Sequence, residues 1–136
     1  MLPVDANIVA YLFIKSERTD KARALELIDN DWHSEAFVLV ELTNVLNNYV
    51  RSGTFTLAEC IATLDEVAET LGPNLHGVHH ADALKAAQEF NVTAYDARYL
   101  VLARELGIPL VTENKKLRAA APALTQSLDD ALLRIR

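Results

Sequence analysis

The chain has 136 residues, 51% of them hydrophobic and 24% charged, with a formal net charge of −6. That is enough chain for one self-sufficient core, expected as a single domain over residues 1–136, and the acidic balance excludes a broadly basic, nucleic-acid-coating surface. A single cysteine, Cys60, excludes an internal disulfide framework, and no apolar run approaches the roughly 20 residues that a bilayer span needs.

The opening Met-Leu-Pro-Val-Asp lacks the basic segment and apolar core of a secretory leader, so a cytoplasmic location is expected. Leu2–Val4 reads as the first strand and Ala6–Ile14 as the first helix, with Asp5 between them. A second helical pattern covers Asp20–Asp31. A strand is predicted at Ala36–Leu39 and a helix over Val40–Arg51. Thr56-Leu-Ala-Glu59 is a capping box that opens the next helix, closed by Gly72-Pro73. Leu75–His79 is a strand candidate, followed by a helix over Ala81–Phe90. Thr93-Ala-Tyr-Asp96 repeats the capping spacing, and its helix stops at Gly107 with Ile108 and Pro109 behind it. Ile108–Thr112 and Ala123–Ser127 are further strands, Lys115–Ala120 is a helix, and Asp129–Ile135 is a terminal helix. Strand-length apolar runs alternating with helices predict a three-layer α/β/α fold around a parallel sheet of four or five strands.

Ligands of such folds bind at the carboxyl edge of the sheet, where residues distant in sequence converge. Asp5 follows the first strand, Glu41 the second and Asn114 the fourth, while Asp96 opens the preceding helix. Four oxygen-bearing side chains at one edge suit a hard cation, Mg²⁺ or Mn²⁺, held by carboxylates, waters and substrate phosphate. A site of this kind activates water for attack on a phosphodiester.

Val4-Asp5-Ala6-Asn7, Val40-Glu41-Leu42, Tyr95-Asp96-Ala97-Arg98-Tyr99-Leu100 with Ala103, and Leu110-Val111-Thr112-Glu113-Asn114-Lys115-Lys116-Leu117 occur in that order. Together they resemble the motifs of PIN-domain ribonucleases, in particular the VapC-type toxins of toxin–antitoxin pairs. The resemblance covers nearly the whole chain and is most specific from Tyr95 to Leu117. It implies a PIN-like fold, metal-dependent RNA cleavage, a small antitoxin as partner and a homodimer. Position by position, it implies Asp5, Glu41 and Asp96 as acidic catalytic metal ligands, with Asn7 and Thr112 orienting them. Much of the family has aspartate where this chain has Asn114, so the fourth ligand brings no charge. Glu113 lies one residue away and is expected to point elsewhere.

Each of these residues also has an ordinary structural use. Asp5 and Asn114 suit helix N-caps, Asp96 the capping box begun by Thr93, and Glu41 a polar stripe with Asn44 and Asn48. Thr112 suits a strand end, and Asn7 a first helical turn. Arg98, Lys115, Lys116 and Arg118 adjoin the acids and suit phosphate contacts with RNA, or a solvated face. His76, His79 and His80 with Asp82 raise the question of zinc, but they fall where strand meets helix and point apart, with His33 expected to be remote. Cys60 reads as a packed thiol, and Tyr49, Tyr95 and Tyr99 as core, with one of them able to reach the cleft edge. The apolar Ala94–Leu106 helix is either the central buried one or meets another chain. The amphipathic Asp20–Asp31 pattern suits a groove for an antitoxin helix. A non-catalytic PIN-like module that binds RNA or a protein is the alternative. A phosphatase on another α/β fold lacks support, having no Gly-rich phosphate loop among only four glycines.

Overall fold

Among the described residues all the strands run parallel, and none exceeds four residues. The computed structural model describes residues 1–134. Strand β1 (Leu2–Pro3) pairs with β2 (Trp32–Glu35), and β2 pairs with β3 (Leu75–His76). Strand β4 (Leu110–Val111) pairs with β5 (Thr125–Gln126). A bridge between Val4 and Val111 joins the two groups, giving the order β3-β2-β1-β4-β5. The direction of winding reverses between β1 and β4, the position at which open α/β sheets form a crevice.

Strands this short make few ladder bonds, and polar side chains supplement them. The buried Ser34 hydroxyl donates to the Val4 carbonyl at 2.7 Å, across β2 and β1. The Asn74 amide donates to the Trp32 carbonyl at 3.0 Å, and the Gln126 amide to the Pro109 carbonyl at 2.9 Å.

Helices α1 (Ala6–Phe13), α2 (Thr19–Ile28), α3 (Val38–Arg51) and α4 (Leu57–Leu71) precede β3. Helices α5 (His80–Phe90), α6 (Ala94–Leu106), α7 (Lys115–Ala120) and α8 (Leu128–Arg134) follow it. Helix α6 lies against β1, β2 and β4 with α5 packed upon it, while α1, α3 and α4 pack together and α4 reaches β2. The result is the expected three-layer α/β/α arrangement, with five strands. Helix α6 is the central buried helix, with Tyr99, Leu100 and Leu102 almost wholly enclosed. Its stop is set by Gly107 at φ +70°, a conformation that costs glycine nothing and strains other residues.

Two sequence expectations need correction. The apolar run Ala36–Leu39 is not a strand; Val38 already begins α3, and the true strand is the polar Trp32-His33-Ser34-Glu35. A short apolar run has no periodicity to separate strand from buried helix. The second helix ends at Ile28 rather than Asp31, because Asp29 turns into extended backbone at φ −144°. The predicted terminal helix is present to Arg134, and Ile135 lies outside the described residues.

Candidate active site

Asp5 is buried at the end of β1 and caps α1, accepting the Ile8 amide at 3.2 Å. Its other carboxylate oxygen accepts a hydrogen bond from the Thr112 hydroxyl, which stands just past β4. The pair therefore bridges the two strands on either side of the reversal point. Burial pushes the Asp5 carboxyl up to about 6, opposed by the Thr112 and Ile8 bonds and reinforced by the negative charges of Glu41 and Asp96.

Glu41 projects from the first turn of α3 and accepts the Tyr99 hydroxyl at 2.8 Å. Burial raises its pKa, the Tyr99 bond lowers it, and Asp96 and Glu35 raise it again. Asp96 lies in the first turn of α6, where its amide donates to the Thr93 hydroxyl at 3.1 Å. The return bond of a capping box forms at Thr56 and Glu59 but not here. Burial raises the Asp96 pKa, and the Thr93 side chain lowers it. Glu41 and Asp96 line a cleft of about 430 Å³ together with Ala6, Asn7, Phe37, Asn44, Thr93 and Tyr95. Asp5 sits behind the wall formed by its neighbours Ala6 and Asn7.

Three carboxylates thus share one region, where Glu41 and Asp96 push the Asp5 pKa upward and Asp96 pushes that of Glu41, and no basic side chain figures among the causes of those shifts. Hard oxygen donors with uncompensated charge suit a divalent cation. Among the described residues no three His, Cys, Asp or Glu side chains close tightly enough to enclose an ion as they stand; the acids border a cleft instead.

The remaining expected site residues divide. Asn7 is exposed on the cleft wall. The Asn114 side-chain oxygen accepts the Leu117 amide at 3.1 Å as the cap of α7, and its own amide donates to Thr112. Its carbonyl is therefore engaged by the helix. Lys116 is exposed and lines a neighbouring part of the surface with Asp96 and Thr93, while Lys115 is exposed on α7. Arg98 and Arg118 are not free bases. Arg98 pairs with Glu35 at 3.0 Å, and Arg118 donates to the Thr112 carbonyl at 2.8 Å and pairs with Glu113 at 3.2 Å. Glu113 does point elsewhere, toward Arg18 and the Leu128 amide.

Glu35 went unremarked at the sequence level, and which of Tyr49, Tyr95 and Tyr99 reaches the cleft was left open. Glu35 is fully buried at the end of β2 and accepts the amides of Phe37 and Val78 in addition to Arg98. It joins β2, the β3–α5 connection and α6 beneath the acidic cleft. Tyr99 reads as core, yet its hydroxyl orients Glu41. The i+3 spacing of Asp96 and Tyr99 on one helix was the available signal for Tyr99; Glu35 had none, because its strand was misplaced. The histidines also differ from expectation. His33 is not remote: register aligns β2 with β3, and its Nδ1 lies 2.8 Å from His76 Nε2.

Residues 3–122 match the model of the PIN domain. The chain belongs to the PIN-domain family. This PIN domain is 30% identical over 126 residues to ribonuclease VapC3 of Pyrobaculum aerophilum, a match spanning 90% of this chain and 96% of the relative. It also shares its fold with the crystal structure of PAE2754 from the same organism, with a TM-score of 0.73 at 23% identity, covering 98% of this chain and 95% of that one.

Proposed function

We propose that this PIN domain is a metal-dependent endoribonuclease that hydrolyses RNA phosphodiester bonds, the toxin of a toxin–antitoxin pair. The observation that carries this reading is the convergence of Asp5, Glu41 and Asp96, from three different elements, at the reversal point of the sheet. The relative named as a ribonuclease, matched over nearly its full length, supports the same activity.

In this reading Asp5, Glu41 and Asp96 hold Mg²⁺ or Mn²⁺, which when bound polarises a phosphodiester and lowers the pKa of water. Thr112 keeps Asp5 aimed and helps it ionise, and Tyr99 does the same for Glu41. Asn114, already committed to its cap, contributes through a bridging water at most. Lys116 supplies a phosphate contact beside Asp96. Arg98 and Arg118 instead brace the frame.

The antitoxin partner is supported by a groove of about 470 Å³ between α1, α2 and α4, lined by Leu12, Phe13, Arg23, Leu27 and Glu66. Leu27 is 87% exposed there, an apolar anchor awaiting cover on an otherwise amphipathic helix. A homodimer in the cytoplasm completes the proposal. No helix among the described residues is long and apolar enough to cross a membrane, and Cys60 is a buried free thiol.

The test is titration of the purified protein with Mn²⁺ on single-stranded RNA. Cleavage that appears with the cation and ends with a chelator supports the enzyme. Binding without cleavage at any cation concentration would establish the non-catalytic module instead.

A further inference from the structure

Phe37, at the start of α3, and Tyr95, in the first turn of α6, stack at the mouth of the acidic cleft. Their ring centroids are 5.2 Å apart and their planes 12° from parallel. Both rings line the cleft that contains Glu41 and Asp96. Tyr95 is nonetheless 62% exposed, so Phe37 covers one face of its ring and the other is open to solvent. An exposed aromatic normally costs free energy in water. Here Phe37 already lies against one face of the ring, beside the carboxylates.

The charges nearby sharpen the question of what binds. The chain is acidic overall, and its cleft is lined by acids. Of the bases adjoining the motifs, Arg98 and Arg118 are spent on internal carboxylates. That leaves Lys115 and Lys116, both exposed on α7, as the bases of those motifs open to a phosphate. Stacking on a π face is independent of charge and tolerant of base identity. The exposed amides of Asn7 and Asn44 on the same wall offer both donors and acceptors to a base edge.

We propose that the Tyr95 ring, backed by Phe37, is a stacking platform for one unpaired base flanking the scissile phosphate. This deepens the ribonuclease reading and rests on it. The platform takes only a base that has left its own stack, because bases inside an A-form duplex remain stacked on one another and do not reach the ring. Tyr95 is a positioning residue; the reacting phosphate lies with the carboxylates. A second protein chain covering the same ring is the competing occupant, but it leaves unexplained why the platform adjoins the acids.

Cleavage kinetics with Mn²⁺ test the proposal on one RNA sequence, presented as a single strand and as a duplex, and on single strands carrying an abasic residue at each position in turn. Tyr95→Ala is expected to raise KM roughly five- to a hundredfold with kcat nearly unchanged, and Tyr95→Phe to restore it. An abasic residue at one position beside the cut should raise the wild-type KM comparably and add nothing to Tyr95→Ala. Unchanged KM in Tyr95→Ala, equal cleavage of duplex and single strand, or no sensitive abasic position would overturn the proposal. So would a variant whose only change is loss of dimer on light scattering. Indole quenching of Tyr95→Trp by the uncut oligonucleotide needs no turnover, so it reads the platform even if the protein proves not to be a nuclease.

Discussion

The Thr112 hydroxyl donates to the Asp5 carboxylate across 107 residues of sequence, tying the end of β4 to the end of β1. It opposes the burial that pushes the Asp5 pKa up. Thr112→Val keeps the shape and removes the donor. A hydrogen bond to a charged group is worth roughly 1.5–3 kcal/mol, about one to two pKa units. The acid limb of the pH–rate profile, set near 6 by Asp5, should move toward alkaline pH by roughly that amount. An unmoved limb would show that Asp5 does not control it.

Asp5→Asn should abolish cleavage and stabilise the fold. Because the folded pKa of about 6 lies above the ordinary carboxyl value of 3.8, the favourable contribution of protonated Asp5 is complete below 3.8 and is lost as pH rises through 6. At pH 7.5 the wild type folds around a buried charge, at a cost on the order of 1–3 kcal/mol. Asparagine retains the cap and avoids that cost, so its Tm should exceed the wild-type value at pH 7.5 and lose the advantage near pH 4. Manganese should raise the wild-type Tm at pH 7.5 and leave the variant unmoved.

Tyr99→Phe leaves the buried ring in place and deletes the donor to Glu41. The Glu41 pKa should rise further, since that bond holds it down. The expected outcome is a loss of about 1 kcal/mol of stability and roughly tenfold in kcat at neutral pH, partly regained at higher pH. Calorimetry and a pH series separate the two effects.

Arg98 and Lys116 should behave oppositely. Arg98→Ala strands the fully buried Glu35, so a loss of roughly 3–5 kcal/mol in denaturant unfolding is expected. Lys116→Ala should leave stability within about 0.5 kcal/mol and weaken RNA binding, lowering the salt slope by about one phosphate. Equal effects of the two on RNA affinity, with neither affecting stability, would restore the surface role for Arg98.

Asn114→Asp preserves the α7 cap, since aspartate serves there equally well, and adds a negative charge near Thr112. Cleavage at saturating Mn²⁺ should rise severalfold if the position reaches the cation. No change would mean that the cap excludes it.

Much of the fold was legible because its helices carry punctuation: the Thr56–Glu59 box and the Gly107 stop stand where their chemistry requires them. Strand β2 was not, since every residue after Trp32 is polar and satisfied by partners far along the chain. His33 meets His76, Ser34 meets Val4 and Glu35 meets Arg98. Losing that strand hid Glu35 and lent Arg98 a freedom it does not have. That Asp5, Glu41 and Asp96 lie near one another was legible through motif order. Which tyrosine orients an acid and which one faces solvent depends on helix rotation against the sheet, which local pattern leaves open.

A ladder of strands two to four residues long has little of its own to resist slipping, and a slip of one residue in β1 would carry Asp5 out of line with Thr112. The Ser34 and Gln126 side chains act as rivets between neighbouring backbones. Positions that look like spare polarity thereby set the alignment of the sheet edge that carries Asp5 and Thr112, and losing one would loosen that edge before it melted the protein.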